Sequence, residues 1–395
     1  MNRTEQIIAR HSGQEQVSPG QIVDASVDLL MMHDHSAPLA IRQFRQLNTR
    51  VWDPDRVVIV MDHHSPSTTP AAAKLHFGMR RFAEEEGIKN VFDVGSGVCH
   101  VLLREGGFTR PGTLMVGGDS HMVAGGGLGA FATGIGATEA ASVLARGKIW
   151  LRVPECYRLE VSGRLQSPVD HRDLALAILA KFGPFGLNYR ALEIAGELIE
   201  ELSVNQKSTL CTMGVEMGAK STIIGPLKPE GGYAKTFAMD VSNLVPQVAV
   251  PHLPTNGKDI GEVEGVKINE ANISACVGAT LEDLEAAARI LKGRKVKKGV
   301  RLIVSPASRK TWLEADRAGW LATIAEAGGA VSSPACGGCA AYEVAVLAPG
   351  EVGITSSARN MEGRMGAGGI IYLGSAATVA ASAVTGEITD PRKIV

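Results

Sequence analysis

Short apolar runs alternate with amphipathic stretches along most of the chain, which is the pattern of an α/β protein. Continuous apolar runs predict buried strands at residues 56–61, 90–94 and 112–116, and periodic stretches predict helices at 71–86 and 137–144. Each predicted strand is followed by a polar or glycine-rich turn. We therefore expect parallel sheets with a ligand site beyond the carboxyl ends of their strands.

The same alternation continues through the rest of the chain. The further elements that it predicts are a strand at 157–161, an amphipathic helix at 191–202, a helix at 281–291, a strand at 300–304 and a helix at 376–384 that is ended by Gly386. A segment rich in Pro, Asn and Gly at 250–265 is typical of a linker. No internal repeat is visible in the sequence.

We expect three α/β domains, each with a mainly parallel sheet flanked by helices. Their predicted limits are 1–160, 161–265 and 266–395. The first would carry the histidine-rich turns, and the third would carry the cysteine pair and an arginine-rich loop.

Composition narrows the class of protein further. Of the 395 residues, 45% are hydrophobic and 21% are charged, and the formal net charge is −1. These values are ordinary for a soluble globular protein, and they argue against a nucleic acid or an anionic membrane as partner. The first ten residues lack the apolar segment of a secretory signal, and no run of about 18 apolar residues occurs. Six cysteines in such a chain favour reduced thiols and a cytoplasmic location.

Three cysteines form the most specific chemical pattern. Cys336 and Cys339 make a CxxC pair in a loop rich in Pro and Gly, and Cys276 lies 60 residues before Cys336. Three thiolates cannot close a four-iron cube, in which each iron needs its own ligand, but they can hold a cube with one iron left open. An open iron is a Lewis acid that can withdraw a hydroxyl group from a substrate.

A redox dithiol and half of a zinc site are the alternatives for the CxxC pair. Redox pairs usually begin a helix, and zinc usually needs four protein ligands, whereas no second CxxC or closely spaced Cys/His pair occurs. The spacing alone leaves all three interpretations open. The other cysteines (Cys99, Cys156 and Cys211) have small or apolar neighbours, so we expect them to be structural.

Histidine and aspartate stand together at three turns in the first third of the chain. The groups are His33-Asp34-His35, Asp62-His63-His64 and Asp119-Ser120-His121, and His100 lies between the second and the third. A carboxylate beside an imidazole fixes its tautomer and raises its basicity, as general acid–base catalysis requires. The repeated pairing predicts such chemistry, with a mononuclear metal site as an alternative that lacks compact ligand spacing.

Two further loops carry candidate features. The segment 125–129 (GGGLG) lacks the spacing and the Lys-Ser/Thr of phosphate-binding loops, so we expect close backbone packing there. Arg359 and Arg364 lie five residues apart in a loop bounded by glycine. Such arginines can bind carboxylates in bidentate fashion, and a pair of surface arginines is the alternative.

In their order and spacing these motifs resemble the aconitase superfamily over nearly the whole chain. Within it, the similarity is greatest to the large subunits of isopropylmalate isomerase and homoaconitase, particularly the short form common in archaea. The blocks that carry the resemblance are VDLLMMHD (27–34), VMDH (60–63), VCHVLL (98–103), GDSH (118–121) with GAFATGIG (129–136), LCTMGVEMGA (210–219) and RNMEGR (359–364).

The resemblance implies an aconitase-like architecture with a cluster site at the domain interface. Cys276, Cys336 and Cys339 would ligate a [4Fe-4S] cluster that leaves one iron open to substrate. The acid–base residues around the substrate hydroxyl would be Asp62, His63, His100, Asp119, His121 and Glu216. The residues that bind the substrate would be Ser120, Arg359 and Arg364.

The implied reaction is the reversible dehydration of a small hydroxy di- or tricarboxylate, of the 3-isopropylmalate or homoaconitate type. Rehydration at the neighbouring carbon makes it an isomerisation. In this family, the base that removes the carbon proton is a serine on a swivelling domain, which in two-subunit members is a separate small protein. This chain ends soon after the arginine loop, so we expect it to need that small subunit.

The segment around Cys276 differs from the family pattern. The family usually has Ser-Cys-Thr-Asn followed closely by an arginine, whereas this chain has ACVGAT at 275–280; Met122 and Ala358 likewise replace a threonine and an asparagine. These differences favour an alternative on the same scaffold, a hydratase of a maleate-type or substituted-malate diacid. A catalytically inactive, iron-sensing relative is the alternative from another class, and the near-neutral charge argues against RNA as its target.

Overall fold

The computed structural model describes residues 1–339 and 344–394. These residues form a mixed α/β structure, and the chain divides into two compact units. The first unit comprises Met1–Asp93, Leu102–Ser162 and Phe185–Asp240, and the second comprises Val94–Val101, Gly163–Pro184 and Val241–Val395. The division into three domains stays a prediction.

The strands and helices alternate, as the hydrophobic pattern predicts. The strands are β1 (Ile22–Ser26), β2 (Leu29–His33), β3 (Val57–Val60), β4 (Asn90–Phe92), β5 (Leu114–Gly117), β6 (Phe131–Gly134), β7 (Lys148–Arg152), β8 (Cys156–Ser162), β9 (Ala191–Ala195), β10 (Ser221–Ile223), β11 (Lys235–Asp240), β12 (Gln247–Ala249), β13 (Gly257–Asp259), β14 (Glu270–Ile273), β15 (Arg301–Val304), β16 (Ala330–Val331), β17 (Val352–Thr355) and β18 (Ile370–Leu373). The helices are α1 (Arg3–Ser12), α2 (Ala37–Arg45), α3 (Pro70–Glu86), α4 (Cys99–Glu105), α5 (Ala137–Arg146), α6 (His171–Phe182), α7 (Glu197–Glu201), α8 (Val204–Met213), α9 (Leu281–Leu291), α10 (Arg309–Arg317), α11 (Trp320–Glu326) and α12 (Ala376–Thr385). None of the described helices combines the length and the apolar character that a bilayer crossing requires.

The first unit is built on a parallel sheet of five strands in the order β4-β3-β2-β5-β6. The chain winds outward from β2 through β3 to β4, and then returns to place β5 on the other side of β2. Ligands of open α/β sheets bind beyond the carboxyl ends of the strands at such a switch point. This unit also has a parallel sheet of order β10-β9-β8-β11 and an antiparallel pair of β1 and β7.

The second unit has a sheet of seven strands in the order β13-β12-β18-β17-β14-β15-β16. Strands β14 to β18 are parallel, and β12 and β13 add an antiparallel edge. The chain again winds outward, from β14 through β15 to β16, and returns to place β17 beside β14. The two units therefore share one winding order, although the sequence shows no repeat.

Local chemistry explains where these elements begin and end. Every residue of β2, β3 and β5 is buried, so these strands appear in the sequence as continuous apolar runs. Helix α3 begins at Pro70, where the Thr69 side chain accepts a hydrogen bond from the Ala72 amide, and it ends at Gly87 with a left-handed φ of 73°. These signals explain why the predicted helix 71–86 is confirmed almost to the residue.

The single amphipathic helix predicted at 191–202 is wrong. Residues 191–195 form β9, which lies between β8 and β10, and α7 follows only after Gly196. Gly196 has a φ of 133°, and a Cβ there would lie 2.0 Å from the Val161 carbonyl oxygen. A short apolar run does not distinguish a buried strand from a helix by periodicity alone. The segment 250–265, predicted as a linker, contains the short strand β13.

The glycine-rich segment packs tightly within the first unit, as predicted. It lies in a 3₁₀ helix, Ser120–Leu128, against β10 and α8. A Cβ on Gly126 would lie 1.7 Å from the Thr222 carbonyl oxygen, and a Cβ on Gly127 would lie 2.5 Å from the Ser208 nitrogen. These glycines allow two backbones to approach each other closely.

We expect Gly126→Ala to lower the free energy of unfolding by about 3 kcal/mol or more, because backbone rather than a flexible side chain must move. Gly78 in α3 is the matched control, because a Cβ there meets nothing within 4 Å. Gly78→Ala should be neutral or stabilising by up to about 1 kcal/mol, since alanine is the better helix former. Urea denaturation followed by circular dichroism measures both, and equal stability of the two variants would contradict the packing described.

Candidate active site

His33 and Asp119 meet at the switch point of the five-stranded sheet. His33 ends β2, Asp119 follows β5, and His33 Nε2 lies 3.2 Å from Asp119 Oδ2. The backbone amide of His35 donates to His33 Nδ1 at 3.1 Å. Because Nδ1 accepts this hydrogen bond, the ring proton of His33 is on Nε2 and faces the carboxylate.

His63 is the basic imidazole of the network. Its Nδ1 donates to Asp62 Oδ1 at 2.9 Å, and its ring stacks on that of His33 with centroids 4.2 Å apart. Burial by itself lowers the pKa of His63, but the carboxylate of Asp62, helped by Asp119 and Asp34, raises this pKa to about 9. At neutral pH, His63 is therefore protonated and can donate a proton.

Asp34 holds the turn that carries these groups. Its carboxylate accepts the backbone amides of His63 and His64 at 3.1 and 2.9 Å, and it lies 2.9 Å from His76 Nε2. Burial by itself raises the pKa of Asp34, but the hydrogen bond from His76 and the positive charge of His63 hold this pKa below its usual range. Asp34 thus acts as a fixed negative charge beneath the turn after β3.

A second imidazole is tied to the same network through Asp119. The His121 amide donates to Asp119 Oδ1 at 2.6 Å, and His121 Nε2 lies 3.0 Å from Glu216 Oε1. His121 and Glu216 are both buried. Ser120, between Asp119 and His121, is half-buried, and a cavity of about 350 Å³ borders it and Asp119. The turn after β5 thus presents a carboxylate and a hydroxyl beside open space, with the buried imidazole of His121 next in the chain.

Sequence reasoning left three members of this network out of the site. His33 and Asp34 carried a signal, because they stand in a His-Asp-His group, whereas His76 carried none. Ligand atoms of His33, Asp34, Asp62 and His63 lie within 4.8 Å of one another, which is the compact donor set that the spacing did not reveal. The hydrogen bonds between these groups favour the acid–base interpretation.

The three cysteines lie in the second unit, beyond the carboxyl ends of its strands. Cys276 follows β14, and Cys336 and Cys339 follow β16. They are only 5%, 7% and 3% exposed, and Cys336 and Cys339 pack with Ala275 in one cluster. All six cysteines lie in the described part of the chain, and none of them forms a disulfide. Buried thiols without a disulfide fit a site for a sulfur-ligated metal.

The backbone around these thiols is tightly constrained. Ala275 has a φ of 76°, which is strained for a residue with a side chain. A Cβ on Gly337 would lie 2.5 Å from Ser305 Oγ, and a Cβ on Gly338 would lie 2.6 Å from the side chain of Asn272. Cys336 follows β16 and directly precedes a short 3₁₀ helix, Gly337–Cys339, which contains Cys339.

Arginines approach the cysteine loops within the same unit. The half-buried Arg364 donates from Nη2 to Cys339 Sγ at 3.6 Å, and Arg359 is also half-buried. Arg172 was not predicted; it is fully buried, interacts electrostatically with Cys276 and donates to the Ser357 carbonyl oxygen at 2.5 Å. Burial lowers the pKa of Arg172. Arg172 lies far from every motif in the sequence, so the sequence does not predict its interaction with Cys276.

The acid–base candidates do not all lie in one unit. Five of them belong to the first unit: Asp62, His63, Asp119, His121 and Glu216. His100 belongs to the second, where it lies buried in α4.

Both units are thus α/β folds, one with paired imidazoles and carboxylates and the other with three buried thiols. The chain belongs to the aconitase family, because the model of that family (aconitate hydratase) matches residues 5–228 and 226–386. It is 45% identical over 391 residues to a probable methanogen homoaconitase large subunit of Methanosarcina mazei, which covers 94% of this chain and 100% of that relative. It is 42% identical over 410 residues to a 3-isopropylmalate dehydratase large subunit of Methanopyrus kandleri, with 98% of both chains covered.

These comparisons confirm the family and the fold class predicted from the motifs. The names of the relatives also match the main function expected from the sequence. Membership of the family implies an iron–sulfur cluster, and the buried cysteines supply suitable donors for one.

We expect Asp62→Asn to lower the pKa of His63 from about 9 to about 6.5 or below, because the largest opposing charge is removed and burial remains. His63 is charged in the folded wild-type chain up to pH 9, so its contribution to stability is complete below about pH 6.5 and declines as the pH rises toward 9. NMR titration of the ring protons measures the pKa. Asp24→Asn, which removes an exposed carboxylate, is the control; an unchanged pKa of His63 in Asp62→Asn would contradict this account.

Proposed function

We propose that this chain is the catalytic large subunit of a hydro-lyase that reversibly dehydrates a hydroxy di- or tricarboxylate. A substrate of the 3-isopropylmalate or homoaconitate type agrees with the names of the relatives. The observation that carries the proposal is the buried set of three cysteines with an arginine on one sulfur.

The cysteines Cys276, Cys336 and Cys339 would hold a [4Fe-4S] cluster with one iron open. When bound, such a cluster supplies a Lewis acid that polarises the substrate hydroxyl. Arg364, which donates to Cys339 Sγ, offsets the negative charge of a thiolate ligand.

Proton delivery falls to the imidazoles. Hydroxide is a poor leaving group, and a proton donated as the C–O bond breaks makes its departure easier. His63 is suited to this task because Asp62 keeps it protonated at neutral pH. His121, held by Glu216, is the second candidate donor, and Asp119 orients both His33 and His121. We also assign His100 to the acid–base set, on the family motif that contains it.

Arg359 and Arg364 would bind the substrate carboxylates, and Ser120 would donate a hydrogen bond to one of them. Loss of the carbon proton places negative charge on the adjacent carboxylate. A guanidinium fixed beside that carboxylate stabilises the charge as it develops.

The base that accepts the carbon proton would come from a small swivel-domain subunit. The relatives are named large subunits, which supports a partner of this kind. The active enzyme would then be a complex of two different chains.

A hydratase of a maleate-type or substituted-malate diacid is the second candidate. Val277 and Ala279 are fully buried, and a Cβ on Gly278 would lie 2.1 Å from the Ser356 carbonyl oxygen. The segment after Cys276 therefore offers a substrate no polar side chain from these positions. This apolar segment supports the second candidate.

We expect anaerobic reconstitution with iron and sulfide to give about four irons per chain and a broad absorption band in the blue. Cys336→Ser should lose most of both, because a thiolate ligand is replaced by a hydroxyl. Cys211→Ser is the control, since Cys211 is equally buried but lies in α8 of the first unit. Full iron content and unchanged absorption in Cys336→Ser would argue against the assigned ligands.

We expect the reconstituted chain to be inactive alone and active with a small swivel-domain subunit, because we propose that this subunit supplies the base. Absorbance of the conjugated dehydrated acid, followed over a panel of hydroxy-diacids, measures activity and identifies the substrate. Arg359→Gln should lower kcat/KM by about 10- to 100-fold, since a charge-assisted contact is lost. Arg317→Gln, at an exposed position in α10, is the control. Turnover by the chain without a partner would refute the two-subunit proposal.

A further inference from the structure

A second group of metal-ligating side chains lies in the second unit, apart from the cysteines. Asp170 and His171 stand at the start of α6, and Asp283 lies in the first turn of α9. One ligand atom from each of the three lies within 4.8 Å of the others. His171 and Asp283 are only 2% and 1% exposed.

Each carboxylate uses one oxygen to cap a helix. Asp170 Oδ1 accepts the amides of Arg172 and Asp173 at 2.7 and 3.3 Å. Asp283 Oδ2 accepts the amide and the hydroxyl of Thr280 at 2.9 and 2.8 Å. Asp283 Oδ1 is buried and has no hydrogen-bond partner among the described residues. Capping therefore leaves a carboxylate oxygen available for a ligand.

His171 is the feature that requires an explanation. Both of its ring nitrogens are buried, and neither has a hydrogen-bond partner in the part of the chain that the structure describes. Its Nε2 lies 3.9 Å from Asp283 Oδ1, which is too far for a direct hydrogen bond. A metal ion that binds nitrogen and oxygen at about 2.1 Å can bridge atoms up to about 4.2 Å apart.

The carboxyl groups around His171 also favour the binding of a cation there. Asp170, Asp173 and Asp283 supply three carboxyl groups, and two arginines interact with this group, Arg172 with all three and Arg392 with Asp173. A buried excess of negative charge is costly unless it is paired. Burial raises the pKa of Asp173 and raises that of Asp283 to about 6, and a bound cation would favour the ionised form of Asp283.

We propose that Asp170, His171 and Asp283 bind one divalent transition-metal ion, for which Zn²⁺ is the best fit. Imidazole nitrogen and carboxylate oxygen are ligands that zinc accepts readily, and three protein ligands leave a position for water. The ion ties the start of α6 to the start of α9. Because α9 follows Cys276 directly, it also restrains the loop that carries this cysteine.

The test uses the full chain with Cys276, Cys336 and Cys339 changed to Ser, so that no metal binds to these thiols. Equilibrium dialysis against Zn²⁺, followed by elemental analysis, should give one zinc per chain. His171→Ala should lose it, whereas His252→Ala, which removes an exposed histidine of the same unit, should retain it. Zinc should also raise the Tm of the triple-serine chain and leave that of its His171→Ala derivative unchanged.

Asp283→Asn provides a second variant in case His171→Ala disturbs folding, which circular dichroism detects. It conserves size and removes one charge, so we expect zinc affinity to fall at least 10-fold. Three results would overturn the proposal: no bound zinc, bound zinc that survives both His171→Ala and Asp283→Asn, or weak zinc equal in every variant, which would mark an adventitious ion only.

Discussion

The hydrogen bonds to the Asp34 carboxylate are the interaction on which the first unit's site depends. A buried carboxylate is tolerated only when its oxygens are satisfied, and Asp34 accepts two backbone amides and lies against an imidazole. The amides belong to His63 and His64, so the same bonds that stabilise the charge also fix the turn after β3. The orientation of the His63 ring follows from this turn and from Asp62.

The sheets place chemistry at the same topological position in both units. The first unit brings His33 and Asp119 to the edge where β2 and β5 adjoin, and the second carries Cys276 beyond β14, beside β17. The turns that follow parallel strands all lie at the same edge of the sheet. Residues that are distant in the sequence therefore become neighbours through the sheet topology alone. The acid–base groups and the thiols therefore both follow strands of parallel sheets that have the same winding order.

The sequence predicted the elements whose signals are local. Buried strands such as β3 are continuous apolar runs, and α3 carries its own start and stop residues. The prediction for residues 191–202 failed because β9 is buried on both faces. Its residues therefore lack the alternation of polar and apolar positions that identifies a strand. The motifs located the cysteines and most of the histidine network. His76 and Arg172 escaped prediction because their partners lie far along the chain, and only the folded topology brings them together.

The contact between Arg364 and Cys339 has a thermodynamic consequence. A guanidinium that donates to a sulfur is sensitive to the charge on that sulfur, and an anion bound by the same guanidinium is sensitive to it in turn. Such linkage is reciprocal. If a charged sulfur weakens anion binding by a given free energy, the bound anion destabilises the charged form of the sulfur by the same free energy. If Arg364 binds a carboxylate, as proposed, its affinity for that carboxylate would depend on whether Cys339 is protonated, charged or bound to a metal.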